Sequence, residues 1–232
     1  MKWVVDNIGT ITDATWAHLW LALPAIVISF VVALPVAWVA SRFRRSRFTL
    51  LLIAGLVYAI PSLPLFIILP LILGTPVRSL VNVVAALGLY GVALMVRYAA
   101  DALDAVSKDT VLAATAMGYG AWRRFFGVQL PLAGPSLLAG LRVVAVSTIS
   151  LVPVSALLGV DSLGMLLTDG FQRDIFAEVL AGIVATVVLA VVVDLGLVAL
   201  GQVLMPWERL TIRRRTRRTI SSQADDSRTV TA

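Results

Sequence analysis

The chain has 232 residues, of which 59% are hydrophobic and 14% charged, and it contains no cysteine. This composition is more apolar than that of soluble domains, and several runs approach membrane-spanning length, so we predict an all-α, polytopic helical bundle in a lipid membrane. The absence of cysteine excludes disulfides and thiol chemistry. The net charge of +6 comes from arginines beside the apolar runs, which favours membrane orientation over nucleic-acid binding.

About five apolar runs are predicted to span the membrane. Residues 1–18 lack the basic start and short apolar core of a cleavable signal, and we expect them to remain as an extracytoplasmic segment. The transmembrane domain is predicted over residues 19–204, with spans at about 19–41, 48–74, 79–99, 136–160 and 176–204. Prolines in the first two spans predict kinks, and the second span could end in a re-entrant turn.

Basic residues orient these predicted spans. Residues 42–47 hold four arginines directly after the first span, and a second arginine cluster follows the last one. By the positive-inside rule both ends are cytoplasmic, so we expect the N-terminus outside and the C-terminus inside. Lys2, Arg78 and Arg173 are the basic residues in the predicted outer segments. Residues 205–232 form a predicted basic cytoplasmic tail that is partly disordered.

The longest polar interval between the apolar runs is residues 101–131, DALDAVSKDTVLAATAMGYGAWRRFFGVQLP. We predict a first short helix that Ser107 caps with its side chain and that Gly118 ends in a left-handed conformation. A second helix is predicted over about 121–128, broken at Pro131. Ten helical residues span about 15 Å, which is too short to cross a bilayer. The small residues leave a smooth surface, which favours a cytoplasmic docking helix.

The spacing Ala113-Ala114-x-x-x-Gly118, followed by Val128-x-Leu130-Pro131, resembles the EAA loop of permease subunits in bacterial ATP-binding-cassette importers. In that family the loop forms the coupling helix that the ATPase subunit grips, and its usual acidic residue is Leu112 here. The alternative for this pattern alone is a helical hairpin without a partner. The resemblance implies an ATPase-coupling site formed by Asp109, Leu112, Ala113, Ala114, Met117, Gly118, Tyr119, Arg123, Leu130 and Pro131.

Two other stretches extend the resemblance, which runs from about Thr15 to Leu204. Residues 159–164, GVDSLG, resemble a glycine-rich segment of permeases for quaternary-ammonium osmoprotectants and methionine. That segment helps to form the outer gate and meets the substrate-binding protein. Residues 58–66, YAIPSLPLF, are similar to osmoprotectant permeases in particular. The resemblance implies an outer gate or docking site at Gly159, Asp161, Leu163 and Gly164.

The resemblance implies a permease subunit, in a bacterial cell membrane, for a small osmoprotectant such as glycine betaine, choline or carnitine. Its implied partners are ATP-binding-cassette ATPase subunits, an extracytoplasmic substrate-binding protein and a second permease, either a copy of this chain or a paralogue. The chain lacks a G-x-x-x-x-G-K-[ST] phosphate loop, so we expect ATP hydrolysis on a partner chain, with no enzymatic role, cofactor or metal here.

Three alternatives stay open on the sequence. The first is an importer for another small solute such as methionine. The second is a secondary transporter that works without nucleotide, although such proteins commonly contain internal repeats that this chain lacks. The third is a membrane scaffold without transport activity, which would explain the spans but not the coupling pattern.

Two ionisable residues invite a functional reading. Asp194 lies deep in the fifth apolar run, where a carboxylate needs a partner or water. It is either a pathway or gating residue, or a structural partner of Arg142 in the fourth run. His18, the single histidine, has no nucleophile or metal-ligand cluster around it in the sequence. We interpret it as a polar residue at the outer membrane edge.

Overall fold

The computed structural model describes residues 2–207, apart from the side chains of residues 2, 44 and 45. Every regular element in that range is helical, which confirms the predicted fold class. A π-helical turn over Phe125–Gln129 precedes α8, and a 3₁₀ segment over Val152–Leu158 extends it. The α-helices are α1 (Lys2–Asp6), α2 (Ile8–Arg42), α3 (Arg44–Ala59), α4 (Ser62–Leu73), α5 (Leu80–Asp104), α6 (Lys108–Ala116), α7 (Ala121–Arg124), α8 (Leu130–Leu151), α9 (Gly164–Gln172) and α10 (Phe176–Leu204).

Four helical stretches in the described range are long and apolar enough to cross a bilayer. They contain α2, α5, α8 with its flanking turns, and α10. A fifth candidate is the pair α3 and α4, which bends by 102°. Ile60 and Pro61 are extended at this bend, because a residue before proline avoids the helical region and the proline nitrogen cannot donate to a helix interior. The bundle is therefore polytopic, with one broken or re-entrant segment.

The predicted break at Pro131 is wrong. The chain passes from α7 through the π-helical turn into α8 without interruption, and Pro131 lies in the first turn of α8. Pro131 stands just after the π-helical turn, where its missing N–H leaves one gap in the hydrogen-bond ladder without ending the helix. The π-helical turn also changes the hydrogen-bond register here, since the N–H of Leu130 donates to the carbonyl of Phe125.

Between the fourth and fifth predicted spans, which end at 160 and begin at 176, most of the chain is the helix α9. Leu166 and Gly170 are buried on α9, which packs against α10. At Gly170 an added Cβ would lie 2.9 Å from Val179 of α10. This stretch, although it contains charged residues and glycines, is thus an amphipathic helix that lies along the bundle. Of the predicted basic, partly disordered tail over residues 205–232, residues 208–232 lie outside the described residues.

The centre of the bundle is the contact of α2 with α5. Alanines line the buried face of α2, and they meet small residues of α5 such as Ala86 and Ala99. Ser29 of α2 donates a hydrogen bond to the carbonyl of Ala25 at 2.6 Å and another to that of Gly88 in α5 at 3.3 Å. Helices in lipid associate through close van der Waals packing and interhelical hydrogen bonds, which small residues permit.

Two further helices complete the bundle around this pair. α8 crosses α5 closely, because a Cβ added at Gly140 would lie 2.5 Å from the Cβ of Tyr98. α10 packs on α8 and α9 but remains peripheral. Its buried residues are Glu178, Gly182, Leu189 and Gly201. The outward face of α10 therefore meets lipid or another chain.

We expect Gly140→Ala to destabilise the bundle, because α5 and α8 must separate to admit the methyl group. Overpacking of this kind costs about 1–3 kcal/mol. Gly55→Ala is the matched control, since nothing lies within 4 Å of its added Cβ and it brings the same gain in helix propensity. The measurement is the thermal unfolding midpoint of the detergent-solubilised protein. It should fall for Gly140→Ala alone, and equal midpoints for both variants would contradict the close crossing.

Candidate functional site

The polar interval forms a two-helix hairpin, which we call the coupling hairpin (Lys108–Gln129). Its first helix, α6, ends as predicted at Gly118, whose φ of +82° is left-handed. The N–H of Tyr119 donates to the carbonyl of Ala114 at 3.1 Å, and that of Gly118 donates to Thr115 at 3.0 Å. These two bonds form a Schellman motif. Ser107 stands at the N-cap, but its side chain makes no capping hydrogen bond, so that part of the prediction is wrong.

The residues predicted to couple to an ATPase fall into two groups. Leu112 and Met117 are the most prominent exposed side chains of α6, with 65% and 70% of their surface accessible. Ala114 is buried and Tyr119 is half-buried, so they support the hairpin from beneath. The other exposed members are Asp109, Ala113, Gly118 and Arg123. The exposed residues of this predicted set are thus small or apolar, apart from one acid, Asp109, and one base, Arg123.

Leu130 and Pro131 lie apart from this surface. Both line an apolar cavity of about 470 Å³ between α2, α8 and α10, together with Phe30 and Leu34 of α2. A protein bound to the tip of the hairpin would not touch them there. These two residues connect the hairpin to the membrane helices rather than form its exposed face.

Aromatic rings pack the coupling hairpin against the end of α2, in a group we call the aromatic cluster (Trp38, Trp122, Phe125, Phe126). Trp38 stacks on Trp122 with ring centroids 4.9 Å apart, and it lies 5.6 Å from Phe125. Phe126 contacts both Phe125, at 4.9 Å, and Trp122, at 6.0 Å. Aromatic pairs at such separations stabilise a contact beyond the area they bury. The rings thus couple α2 to the hairpin.

Polar contacts lie within the hairpin and just before it in the chain. Arg47 of α3 forms ion pairs with Asp101, at 2.9 Å, and with Asp104 at the end of α5. Within the hairpin, Arg124 donates to the hydroxyl of Thr115 at 2.7 Å and so ties the second helix to the first. The aromatic cluster therefore packs the hairpin against α2, Arg124 ties its two helices together, and Arg47 joins α3 to the end of α5 just before the hairpin.

The glycine-rich segment at residues 159–164 lies at the other end of α8. Gly159 and Asp161 are exposed, whereas Leu163 and Gly164 are buried. A Cβ at Gly164 would lie 2.2 Å from the carbonyl oxygen of Pro153, so only glycine fits this approach. The buried hydroxyl of Ser162 accepts from the N–H of Gly164 at 3.2 Å. Of the four predicted residues, two can touch a partner and two shape the backbone beneath them.

Asp194 of α10 and Arg142 of α8 form a bidentate ion pair. The Nε of Arg142 donates to Oδ1 of Asp194 at 2.6 Å, and its Nη2 donates to Oδ2 at 2.7 Å. Such fork-like pairing is strong and geometrically specific. The two side chains are 41% and 24% accessible, so the pair lies on the outward surface of a single chain. A charge pair on a membrane-domain surface requires water or another protein beside it.

His18 does not lie at an exposed membrane edge. Its side chain is completely buried, and its Nε2 lies 3.1 Å from the carbonyl oxygen of Ile149. The prediction failed because charge counting places residues along the membrane normal and carries no information on which side of a helix faces the core. Among the described residues no group of three or more histidine, aspartate or glutamate side chains could hold a metal ion.

The sequence analysis did not predict that the aromatic cluster joins the hairpin to α2. A signal was present in the hairpin itself. Trp122, Phe125 and Phe126 follow the i, i+3, i+4 spacing of one helix face, and an apolar face on a helix this short needs a packing partner. The sequence could have indicated the face, although not that α2 would cover it.

The described residues thus form a helical membrane bundle with one exposed hairpin packed against its helices. Over residues 33–206 the chain matches the family described as binding-protein-dependent transport system inner membrane component, and it belongs to that family. This confirms the family predicted from the coupling motif. The chain is therefore a membrane subunit of a transporter that operates with a binding protein.

Two relatives match this chain along most of its length. It is 30% identical over 209 residues to the osmoprotectant import permease protein OsmW of Salmonella typhimurium, a match that covers 89% of this chain and 97% of that protein. It is 24% identical over 194 residues to the glycine betaine/carnitine/choline transport system permease protein OpuCB of Bacillus subtilis, covering 84% and 88% of the two chains.

Solved structures support the fold. A chain of the MetNI methionine ABC transporter in an inward-facing conformation superposes with a TM-score of 0.73. The superposition covers 85% of this chain and 97% of the other, at 17% sequence identity. At this identity the likeness shows the fold alone.

We expect Asp194→Asn to lower the thermal unfolding midpoint of the solubilised protein, because Arg142 loses its counter-charge within the membrane domain. Replacing both partners by apolar residues, as in Arg142→Met with Asp194→Leu, should restore much of the loss, since removing a pair together leaves no unpaired charge. The comparison requires both single variants and the double variant. A double variant as unstable as the sum of the singles would show that the pair does not act as a unit.

Proposed function

We propose that this permease imports a small quaternary-ammonium osmoprotectant, such as glycine betaine, choline or carnitine, as part of an ATP-binding-cassette importer. The osmoprotectant substrate is supported by the names of relatives that match along most of the chain. The methionine transporter shares the fold at low identity, which does not favour methionine as the substrate. The observation that carries the coupling role is the exposed hairpin, which packs on α2 through the aromatic cluster and continues into α8.

In this proposal the N-terminus is outside, the C-terminus is cytoplasmic, and residues 19–204 form the transmembrane domain. The coupling hairpin is cytoplasmic. Two contacts support this orientation, since Arg42 lies over the ring of Trp38 at 5.8 Å and Arg47 pairs with Asp101. The arginine cluster and the hairpin are therefore at one end of the bundle. The positive-inside rule makes that end cytoplasmic.

ATP hydrolysis is assigned to a separate ATPase subunit, which binds the exposed surface of α6. Asp109, Ala113 and Gly118 line this surface, with Leu112 and Met117 as its apolar anchors. When two ATPase subunits close on ATP, they draw the hairpins of two permeases together. The aromatic cluster and the Arg47 ion pairs transmit that movement to the membrane helices, which rock between inward and outward access. Leu130 and Pro131 help to transmit this movement to the membrane helices and do not contact the ATPase.

The outer segment and the outward face of α10 complete the proposed assembly. Gly159 and Asp161, both exposed, contact the loaded substrate-binding protein, while Leu163 and Gly164 hold the shape of the segment. One chain of this size does not enclose a wide path, so a second permease, either another copy or a paralogue, lines it from the opposite side. The weakly buried α10 supports a partner there.

The function is tested by reconstituting the permease with its ATPase and binding protein in sealed vesicles. Radiolabelled glycine betaine, choline, carnitine and methionine are the probes. We expect uptake of at least one quaternary-ammonium solute that requires both ATP and the binding protein. Uptake without ATP would instead support a secondary transporter, and uptake of methionine alone would overturn the proposed substrate class.

Gly118→Trp should prevent ATPase docking, because it places a large ring at the turn of the exposed surface. Gly74→Trp is the matched control. Both glycines have a left-handed φ, +65° at Gly74 and +82° at Gly118, and neither has an atom within 4 Å of an added Cβ. Both variants therefore carry the same backbone strain. Co-purification of the ATPase and ATP-driven uptake are the measurements.

We expect both signals to be lost for Gly118→Trp and kept for Gly74→Trp. Normal co-purification and uptake in Gly118→Trp would show that α6 is not the docking surface. Equal loss in the two variants would trace the effect to strain at a left-handed position and would count against the docking role as well.

A further inference from the structure

A second feature of the membrane domain is a groove between α8 and α10, which we call the polar groove. Its lining residues are Val146, Ser150, Thr186, Val187, Ala190, Val191 and Asp194, and its volume is about 280 Å³. On α8, Val146 and Ser150 share a face with Arg142, at i, i+4 and i+8. On α10, Thr186, Ala190 and Asp194 repeat the same spacing. The groove is thus built by two facing helical stripes.

The two stripes meet in a regular antiparallel order. The Arg142–Asp194 ion pair closes one end, and the hydroxyl groups of Ser150 and Thr186 stand eight residues away on each helix, about 12 Å along the axis. Aliphatic side chains, mainly Val146 and Ala190, form the wall between these ends. The groove therefore has oxygen atoms at both ends and an apolar middle.

The polar groove opens on the outward surface of the chain. Ser150, Val146 and Val191 are exposed, and Thr186 and Asp194 are half-buried. Carboxylates and ion pairs in a membrane domain rarely face lipid and usually mark a water-filled path or a protein contact. A groove of this kind on the peripheral α10 fits a surface that faces an aqueous path.

The side chains that line the groove suit a cation whose outer surface is apolar. It offers a carboxylate and two hydroxyl oxygens, and no lining side chain is basic. Both hydroxyls already donate within their own helices, to Val146 and to Gly182 at 2.9 and 2.8 Å, so they face other groups chiefly as acceptors. A quaternary ammonium group has no N–H to donate, carries positive charge and is covered by methyl groups, which suit the aliphatic wall.

Arg142 weakens the attraction between the carboxylate of Asp194 and a cation in the groove. It neutralises much of the charge of Asp194 and holds the carboxylate in place through two bonds, while it does not line the groove itself. A transport path requires binding that is favourable enough to admit the solute and weak enough to release it. The Arg142–Asp194 ion pair fits both requirements, because a partly neutralised carboxylate attracts a cation only weakly.

We propose that the polar groove is part of the translocation path and transiently binds the quaternary ammonium group of the transported solute beside Asp194. This inference rests on the proposed function and goes beyond it, because it names the surface that the solute touches. Ser150, Thr186 and Asp194 contact the solute, and Arg142 is a positioning residue.

The first test uses the reconstituted importer with its ATPase and binding protein. Ala190→Phe fills the middle of the groove, and Ala199→Phe adds the same ring at an exposed alanine of α10 outside the lining. We expect glycine betaine uptake to fall about tenfold or more for Ala190→Phe, equivalent to a barrier raised by about 1.4 kcal/mol or more. The Ala199→Phe variant should retain uptake, and both should retain ATPase binding.

The second test uses the absence of cysteine in the natural chain. Ala190→Cys and Ala199→Cys introduce single thiols, and open membrane fragments are treated with a water-soluble trimethylammonium methanethiosulfonate. We expect rapid labelling at position 190 that excess glycine betaine slows, with no protection at position 199. This conservative change keeps the inference testable if Ala190→Phe fails to assemble.

The outcomes separate the inference from the proposed function. If the unmodified importer shows no ATP-dependent uptake of any quaternary-ammonium solute, the proposed function fails. If it transports while position 190 is unreactive, the groove faces lipid or is closed by direct contact with the second permease, and the inference is overturned. Crosslinking between two Ala190→Cys chains would identify a copy of this chain as the occupant. Normal uptake in Ala190→Phe would overturn the inference too.

Discussion

The close contact of α2 with α5 is the constraint on which the rest of this structure depends. Lipid chains are as apolar as the helices, so burial of apolar surface alone does not hold a membrane bundle together. Here small residues let two helices approach until Ser29 reaches the backbone of Gly88 at 3.3 Å. α8 then crosses α5 at Gly140. Because the coupling hairpin joins the end of α5 to the start of α8, this packing also determines where the hairpin stands.

The junction between hairpin and bundle is built from two kinds of contact with different physical roles. Stacked rings around Trp38 and Trp122 give a broad, stiff contact that does not depend on charge. The ion pairs of Arg47 lie at the surface, where salt screens them, and they contribute orientation more than stability. In the proposed mechanism, a hairpin that packs on α2 and follows α5 in the chain moves together with these two helices. That property is what an importer needs to convert closure of an ATPase into rearrangement of membrane helices.

In the proposed mechanism, the Arg142–Asp194 pair serves both structure and transport. The bidentate bonds join α8 to α10, and α10 has few other buried residues to hold it. The same pair borders the polar groove, where a free carboxylate would bind a cation too tightly for release. Structural pairing and a place in the path are therefore compatible roles for Asp194, although the sequence presented them as alternatives.

Local properties of the chain were sufficient to predict the fold class, the family and the exposed hairpin. Hydropathy, the positions of arginines and the Ala-Ala-x-x-x-Gly spacing depend on neighbouring residues, and their physical effects are felt within one helix or one turn. Details that depend on distant contacts required the tertiary structure. His18 meets Ile149, 131 positions away, and Arg142 meets Asp194, 52 positions away. Which helix faces meet is decided by packing of the whole bundle, and residue spacing within a single helix cannot specify its neighbour.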